Sequence, residues 1–506
     1  MSIGILHVVG ILITLALIAG VGVYSGRKVQ DASDFTTGGG KAGPWLVCGA
    51  IMGSLVSGQA TVGTAQLAYD YGLAAWWFTL GAGIGCLFLA IGYVVPLRRS
   101  GSVTLLQVVS KEYGPIAGYV GSVLSSVGIF ISVIAQMLSA TALLTTIFPI
   151  STLAAAVISI VVMAVYVVFG GAWGAGMGGV VKLILLYAAC VVGCALVLSL
   201  SGGLSELLSW LEGLLAGTPL GETIGMAADG FNGRFLSLVA RGSAKDIGSG
   251  LSLLLGVLST QTYAQAIWSA KSDSAARKGA LLSAFLIPPI GIACILIGLY
   301  MRGVSVTAAE AAALAAAGQA VPEGTIILSS TSQAFPMFVV AFLPALVGGI
   351  VLGTLFITVV GGGAGLSLGV ATILVNDIFR KFTKKLDNAV ANLRVTRLTL
   401  LGVLIAAALI AVVVPGAVIN DFGFLSMGLR AAVVFFPLTC AMAFPGRVDR
   451  RWVLVSIIAG PVAVLVGNLA NLPFDSLFLG MLVSFVLVLL GAILRPKNTR
   501  NLSSNG

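Results

Sequence analysis

The chain is made of apolar runs long enough to cross a bilayer, with little between them. A crossing helix needs about 20 predominantly apolar residues. About thirteen such runs follow one another, at 3–24, 44–68, 73–96, 116–146, 151–170, 177–201, 246–270, 279–301, 343–375, 396–414, 420–444, 452–472 and 475–494. Of the 506 residues 58% are apolar and 9% charged, where a soluble domain carries about 25% charge. The class that fits is an all-α integral membrane protein whose first partner is the lipid bilayer, with no room for a sizeable extramembrane domain. All six cysteines fall inside apolar runs without paired or metal-type spacing, so neither disulfides nor zinc are expected. The first run is too long for a signal-peptide core and no basic residue precedes it, so it reads as a retained helix.

A net charge of +10 raises nucleic acid as a partner, but the placement of the charges removes it. Arg98, Arg99, Lys271, Arg277, Lys278, Arg380, Lys381, Lys384, Lys385, Arg447, Arg450 and Arg451 fall in alternate loops, as do Arg27, Lys28, Arg495 and Lys497. The intervening loops hold Asp70, Glu206, Glu212, Asp229, Glu310, Asp421 and Asp475. The positive-inside rule then puts the N-terminus outside and the C-terminus in the cytoplasm of a cell whose plasma membrane the chain spans. Two longer outer stretches, 202–245 and 303–340, interrupt the array, and the Ala-rich part of the second suits a short surface helix.

Glycine is 66 of the 506 residues, about 13% against a usual 7%. Single glycines serve close helix packing. In GAIMGSLVSGQATVGTAQLAYDYG, however, Ser54, Ser57, Gly58, Gln59 and Thr61 occupy the middle of a crossing. Small and polar residues there suit an unwound helix lining a cavity. LLLGVLSTQTYAQAIWSAK repeats the feature with Gly256, Ser259, Thr260, Gln261 and Gln265. Each interrupted helix opens a set of five, which is the pattern of an inverted-repeat transporter. The organisation read from this is a flanking helix at 3–24, a first repeat at 44–201, a second at 246–444, two flanking helices within 452–494 and a short tail at 495–506.

The stretch GRKVQDASDFTTGGGKAGPW, the SGQATVG crossing, AYDYGLAAWW, QTYAQAIWSAKSDSAARKG and ILVNDIFRKF together resemble the sodium:solute symporter family. That resemblance implies a LeuT-like core of five plus five helices, one helix before it and two after. It also implies a sodium site built from backbone carbonyls of the first core helix and a hydroxyl pair on the eighth. Counted back from Asp377, the hydroxyl positions are Gly361 and Gly362, and both hydroxyls are missing. The backbone contributors are Gly53, Val56 and Thr358, whose carbonyls survive any substitution. Leu55 stands where the proline-symporter subgroup has Asp, and Gly178, Gly179 and Lys182 stand where the family pattern has Thr-Asp and then Gln. A hard cation wants several oxygens, and two are gone.

These departures converge on Lys182. It lies about five residues into its crossing, roughly 8 Å along the helix, where its ammonium could occupy the vacated site, with the GGGAG run from Gly361 giving room and carbonyl acceptors. Such a lysine could load and release a proton. The alternative is that it snorkels to the surface. Arg430, nine positions after Asp421 and so about 13 Å into its helix, could hold a substrate carboxylate or simply lock helices together. His7 sits on the flanking helix, away from any coupling role, and Trp76 and Trp77 read as anchors or packing.

The expected function is secondary transport of a small polar solute by alternating access. Ser54, Ser57, Gly58, Gln59, Thr61, Gln261, Gln265 and Arg430 are the candidate substrate contacts. No cofactor is expected beyond a coupling cation, H+ or Na+, with proton coupling or none replacing sodium coupling. Ordinary sodium symport and a non-transporting sensor of the same fold are the alternatives. One histidine and no metal cluster or nucleophile elbow exclude a His-based enzyme. Substrate identity and oligomeric state are not legible.

Overall fold

A computed structural model describes residues 3–26, 40–226, 230–383, 386, 388–470 and 472–494, apart from the side chains at 22–23, 25–26, 167–175 and 389. The basic residues Arg27, Lys28, Lys384, Lys385, Arg495 and Lys497, Asp229, and most of the stretch before Lys41 lie outside the described residues.

The chain is almost wholly helical. Helix α1 (Ile5–Gly26) is followed by α2 (Pro44–Leu55), α3 (Thr64–Tyr71) and α4 (Trp77–Phe88), the last running on as helix to Arg99. Then come a short α5 (Leu105–Tyr113), α6 (Pro115–Ile147), α7 (Thr152–Ser201), α8 (Ser243–Leu258) and α9 (Gln261–Trp268). The second half holds α10 (Asp273–Leu286), α11 (Pro288–Val304), α12 (Ala345–Ile373), α13 (Ala389–Val413), α14 (Ile419–Ala443), α15 (Arg450–Leu469) and α16 (Ser476–Ile493). Two three-residue strands, Ser305–Thr307 and Ile326–Leu328, pair in parallel over the connection after α11. The Ala-rich segment between them forms the short helix Ala308–Ala316, closed by a Thr307/Glu310 capping box.

Nine helices among the described residues are long and apolar enough to cross a membrane, beside shorter apolar ones such as Pro44–Leu55. The thirteen crossings expected from sequence therefore depend on joining pieces. Helix α7 makes the point from the other side, because its 50 residues form one helical run where two crossings were expected. Straight, it would be about 75 Å long against a hydrocarbon thickness of about 30 Å. It is not straight. The Tyr166 hydroxyl reaches within 2.6 Å of where a Cβ on Gly178 would sit, whereas twelve positions of straight helix span about 18 Å. The run bends sharply between these residues; Gly176–Ser201 is one of the nine spanning candidates and Thr152–Tyr166 one of the shorter apolar helices.

Two helices are broken in mid-course. After α2 the backbone turns extended at Val56 (φ −80, ψ 96) and re-forms as a π-helical turn at Gln59–Gly63 before α3. Between α8 and α9 it leaves the helix at Ser259 and Thr260. Small and hydroxyl residues at both places offer the backbone local alternatives to the helical ladder. The neighbours repeat as well: α2 packs on α10 as α8 packs on α4, and α2 packs on α7 as α8 packs on α14. Exchanging the two five-helix sets maps one contact onto the other, as an inverted repeat requires.

Glycines permit the tightest of these contacts. A Cβ on Gly179 would lie 1.9 Å from the Gly49 carbonyl oxygen, and one on Gly49 2.4 Å from the Gly176 oxygen. Helices α2 and α7 thus touch backbone to backbone. At the turn after α3, Gly72 has φ +52 and presses against the Phe235 backbone, a conformation and a clearance available only to glycine. Trp76 and Trp77 are held by indole hydrogen bonds to the Pro288 and Leu238 carbonyls, at 3.0 and 2.6 Å.

Candidate functional site

The glycine contact between α2 and α7 positions Lys182, one helical turn beyond Gly179. Its ammonium donates to the carbonyls of Gly53 and Val56 at 2.7 Å each and reaches that of Thr358 at 3.5 Å, the limit of a hydrogen bond. The residue is 2% exposed, so the side chain runs inward to the first break and not out to the surface. The unwound backbone is what makes this possible. In an intact helix the Gly53 and Val56 oxygens would accept from residues four positions on; at the break they are free to turn toward a cation. They are the same oxygens that the resemblance assigns to the backbone half of a sodium site.

The two positions with missing hydroxyls behave differently. A Cβ on Gly361 would stand 3.7 Å from the Lys182 ammonium and from the Gly53 oxygen, so this position faces the cation. A Cβ on Gly362 would lie 2.3 Å from Ser57 Cβ, so that glycine serves contact with the break. Thr358, not the glycine run, supplies the carbonyl from α12. The run's contribution is room.

The rest of the first break is held by a residue that the sequence reading passed over. Gln136, on α6, accepts from the Gly58 N–H at 2.9 Å and donates to the Ser57 hydroxyl at 3.0 Å. An amide in the middle of a 33-residue apolar helix was the available signal. Ser54 and Thr61 donate back to the Ala50 and Ser57 carbonyls. Gln59 points toward α14, where its Nε2 lies 2.9 Å from where a Cβ on Gly423 would be and has no partner among the described residues. Asn420, one turn earlier on α14, is fully buried with both amide atoms likewise unpartnered. Buried polar atoms are nearly always satisfied. Two such amides lie beside this one break.

At the second break the central residue is Arg430, from the middle of α14. It is fully buried and donates to the Thr260 hydroxyl at 2.8 Å, Ser132 at 2.9 Å, and Ser426 at 2.7 Å through the hydroxyl and 3.0 Å through the carbonyl. Arg430 therefore ties α14 to α6 and to the second break, every partner being neutral.

Gln261 and Gln265 face away from that cluster. The Gln261 amide donates to the Val103 carbonyl at 2.9 Å and accepts from the Leu105 N–H at 3.0 Å, so it anchors the start of α5. Gln265 donates to Thr372 at 3.3 Å. The same end of the bundle is fastened by buried Asp377, whose carboxylate accepts from Thr104, Gln107 and Ser122 at 2.9 to 3.1 Å. Arg98 adds a 2.6 Å ion pair with Asp273 and bonds to the Ile267 and Ala270 carbonyls that close α9. At the opposite end Gln66 clasps Thr331, Ala417 and Ile419. His7, packed on Gly348 and Gly349 of α12, takes no part in the site.

Two broken helices in corresponding places of an inverted repeat are the pattern of a secondary transporter. A sequence model of the sodium:solute symporter family matches residues 35–460. The chain belongs to the sodium:solute symporter family. Among curated relatives, the uncharacterized symporter YwcA of Bacillus subtilis (strain 168) is 29% identical over 203 residues, covering 39% of this chain and 38% of that protein. Among solved structures, a Na+-coupled sialic acid symporter in a substrate-bound outward-open state matches 97% of both chains with a TM-score of 0.75 at 18% identity. A nucleobase-cation-symport-1 family transporter in a closed conformation matches 92% of this chain and 97% of its own, with a TM-score of 0.50 at 13% identity. At those identities the likeness is one of fold, the LeuT-like arrangement of the family, and these family and structural neighbours are transporters, not enzymes.

Proposed function

We propose that this member of the family is a secondary transporter of a small polar solute in which the Lys182 ammonium takes the place of the coupling sodium ion. The observation that carries the reading is the pair of 2.7 Å contacts from Lys182 to the Gly53 and Val56 carbonyls. A sodium ion and an ammonium cannot share one set of oxygens, so coupling passes to protons or is absent. The solute binds near the two breaks, with Gln59 and Asn420 as the amides still lacking partners. The chain sits in the plasma membrane with its N-terminus outside and its C-terminus in the cytoplasm, from the distribution of Lys and Arg among the loops.

Thermal unfolding of the purified protein in detergent tests this, with NaCl titrated against choline chloride at constant ionic strength. A ligand of the folded state stabilises it by RT ln(1 + [L]/Kd). The expected result is no sodium-specific rise in the melting temperature. A saturable rise with sodium would return the protein to ordinary sodium symport.

A further inference from the structure

We propose that the transported solute is a small organic anion carrying a carboxylate, met at the second break by Arg430. The inference rests on the reading of Lys182 above and adds to it the charge of the solute. Near the two breaks lie two buried cations, Lys182 and Arg430, at 2% and 0% exposure. Neither meets a carboxylate: the ion pairs among the described residues are Arg98–Asp273, Arg241 with Asp246 and Asp421, and Arg302–Glu310. At its two breaks the bundle thus holds two positive charges that touch no carboxylate; the buried Asp377 carboxylate is itself taken up by Thr104, Gln107 and Ser122. A buried charge without a counter-charge is costly, and the arrangement disfavours a further cation while favouring one negative charge.

The site of Arg430 is built to receive that charge. Its side-chain stem fits against Gly128, where a Cβ would lie 2.9 Å from Arg430 Cγ. Three of its partners, Thr260, Ser132 and Ser426, are hydroxyls. A hydroxyl is both donor and acceptor; Thr260 and Ser426 already donate to the Gly256 and Gly128 carbonyls, whereas Ser132 only accepts from the guanidinium and can turn its proton to an arriving carboxylate, which no carbonyl or carboxylate partner could do. The neighbouring Ser259 hydroxyl is buried without a partner. A clamp needed only to hold helices together would gain nothing from a permanent charge at this depth, because neutral amides make the same kinds of bonds without the desolvation penalty.

The test is a ligand panel on the purified full-length protein in detergent: propionate, pyruvate and succinate against galactose and inositol, read as shifts in melting temperature and as competition in proteoliposome uptake of labelled pyruvate. At least one carboxylate gives a saturable shift and saturable uptake, while galactose and inositol give neither. Arg430→Lys keeps the charge but loses the two-pronged geometry, and raises the carboxylate half-saturation about ten- to hundredfold. Arg430→Gln serves as a second variant, keeping hydrogen bonds to the same hydroxyls while abolishing the carboxylate response. A response to galactose or inositol without one to any carboxylate overturns the proposal, as does silence across all three carboxylates. So does an Arg430→Lys protein with unchanged half-saturation. None of these outcomes touches sodium independence, which the NaCl titration decides separately.

Discussion

Removing the tethered cation and returning one lost hydroxyl should convert this protein into a sodium binder. In Lys182→Ala the Gly53 and Val56 carbonyls lose their partner at 2.7 Å, and each unmet buried acceptor costs about 1–3 kcal/mol. The variant is then about 2–6 kcal/mol less stable in sodium-free buffer. The structure also says which hydroxyl can be restored. A side chain at Gly361 begins 3.7 Å from the Gly53 oxygen and clashes with nothing, whereas one at Gly362 begins 2.3 Å from Ser57 Cβ. Lys182→Ala with Gly361→Ser therefore presents three carbonyls and one hydroxyl around a vacated space. For a Kd of about 10 mM, 100 mM sodium would return about 1.4 kcal/mol. The assay is thermal unfolding in NaCl against choline chloride, with the parent protein alongside. A flat parent and a saturable sodium response in the double variant are expected. A double variant that folds yet ignores sodium would show that the three carbonyls do not form a cation site, and the reasoning would fail.

Two further substitutions probe the scaffold. Gln136→Leu leaves the Gly58 N–H unpaired and the Ser57 hydroxyl with only its 3.4 Å bond to the Leu55 carbonyl and lowers stability by about 1–3 kcal/mol, seen as a lower midpoint with sodium indifference retained. Asp377→Asn keeps the shape but sets an amide where Thr104, Gln107 and Ser122 all donate. Hydrogen bonds to a charged group contribute about 1.5–3 kcal/mol, so amide exchange across α5 should quicken by about tenfold or more, while unchanged exchange would remove Asp377 as the fastening of that end.

The membrane class and the two breaks could be read from residue order, because each depends on local composition. Polar residues beside glycine in an apolar run reveal a break wherever it is placed. Lys182 stood out because it occupies a place where the family pattern is neutral. Pairings over long separations could not be read in this way. Gln261 looked like a solute contact since it follows a break, yet its amide is occupied by backbone at Val103 and Leu105, more than 150 positions away. Gln136 meets the first break across 78 positions, and Asn420 becomes notable only once its amide is found buried and unpartnered. Arg430 was legible as a midplane charge, but its neutral surroundings were not.

A bound sodium ion does work in a carrier because it is released on the far side in every cycle. An ammonium fixed to α7 is never released, and the only charge it can carry across is a proton taken up at one face and given away at the other. If the solute is a monoanion bound near Arg430, one proton moving with it makes the cycle electroneutral, since Lys182 and Arg430 themselves remain with the protein. One uncompensated charge crossing a potential of 100 mV is worth about 2.3 kcal/mol, which at about 1.4 kcal/mol per tenfold is close to a fiftyfold change in accumulation. An electroneutral proton–anion carrier forgoes that factor and responds only to the pH difference. On the proposed reading the two buried cations would bear on the energetics as well as on binding, with a chemical gradient in place of a potential-driven sodium gradient, and an imposed potassium diffusion potential that altered anion accumulation would contradict the pairing of Lys182 with Arg430 in one cycle.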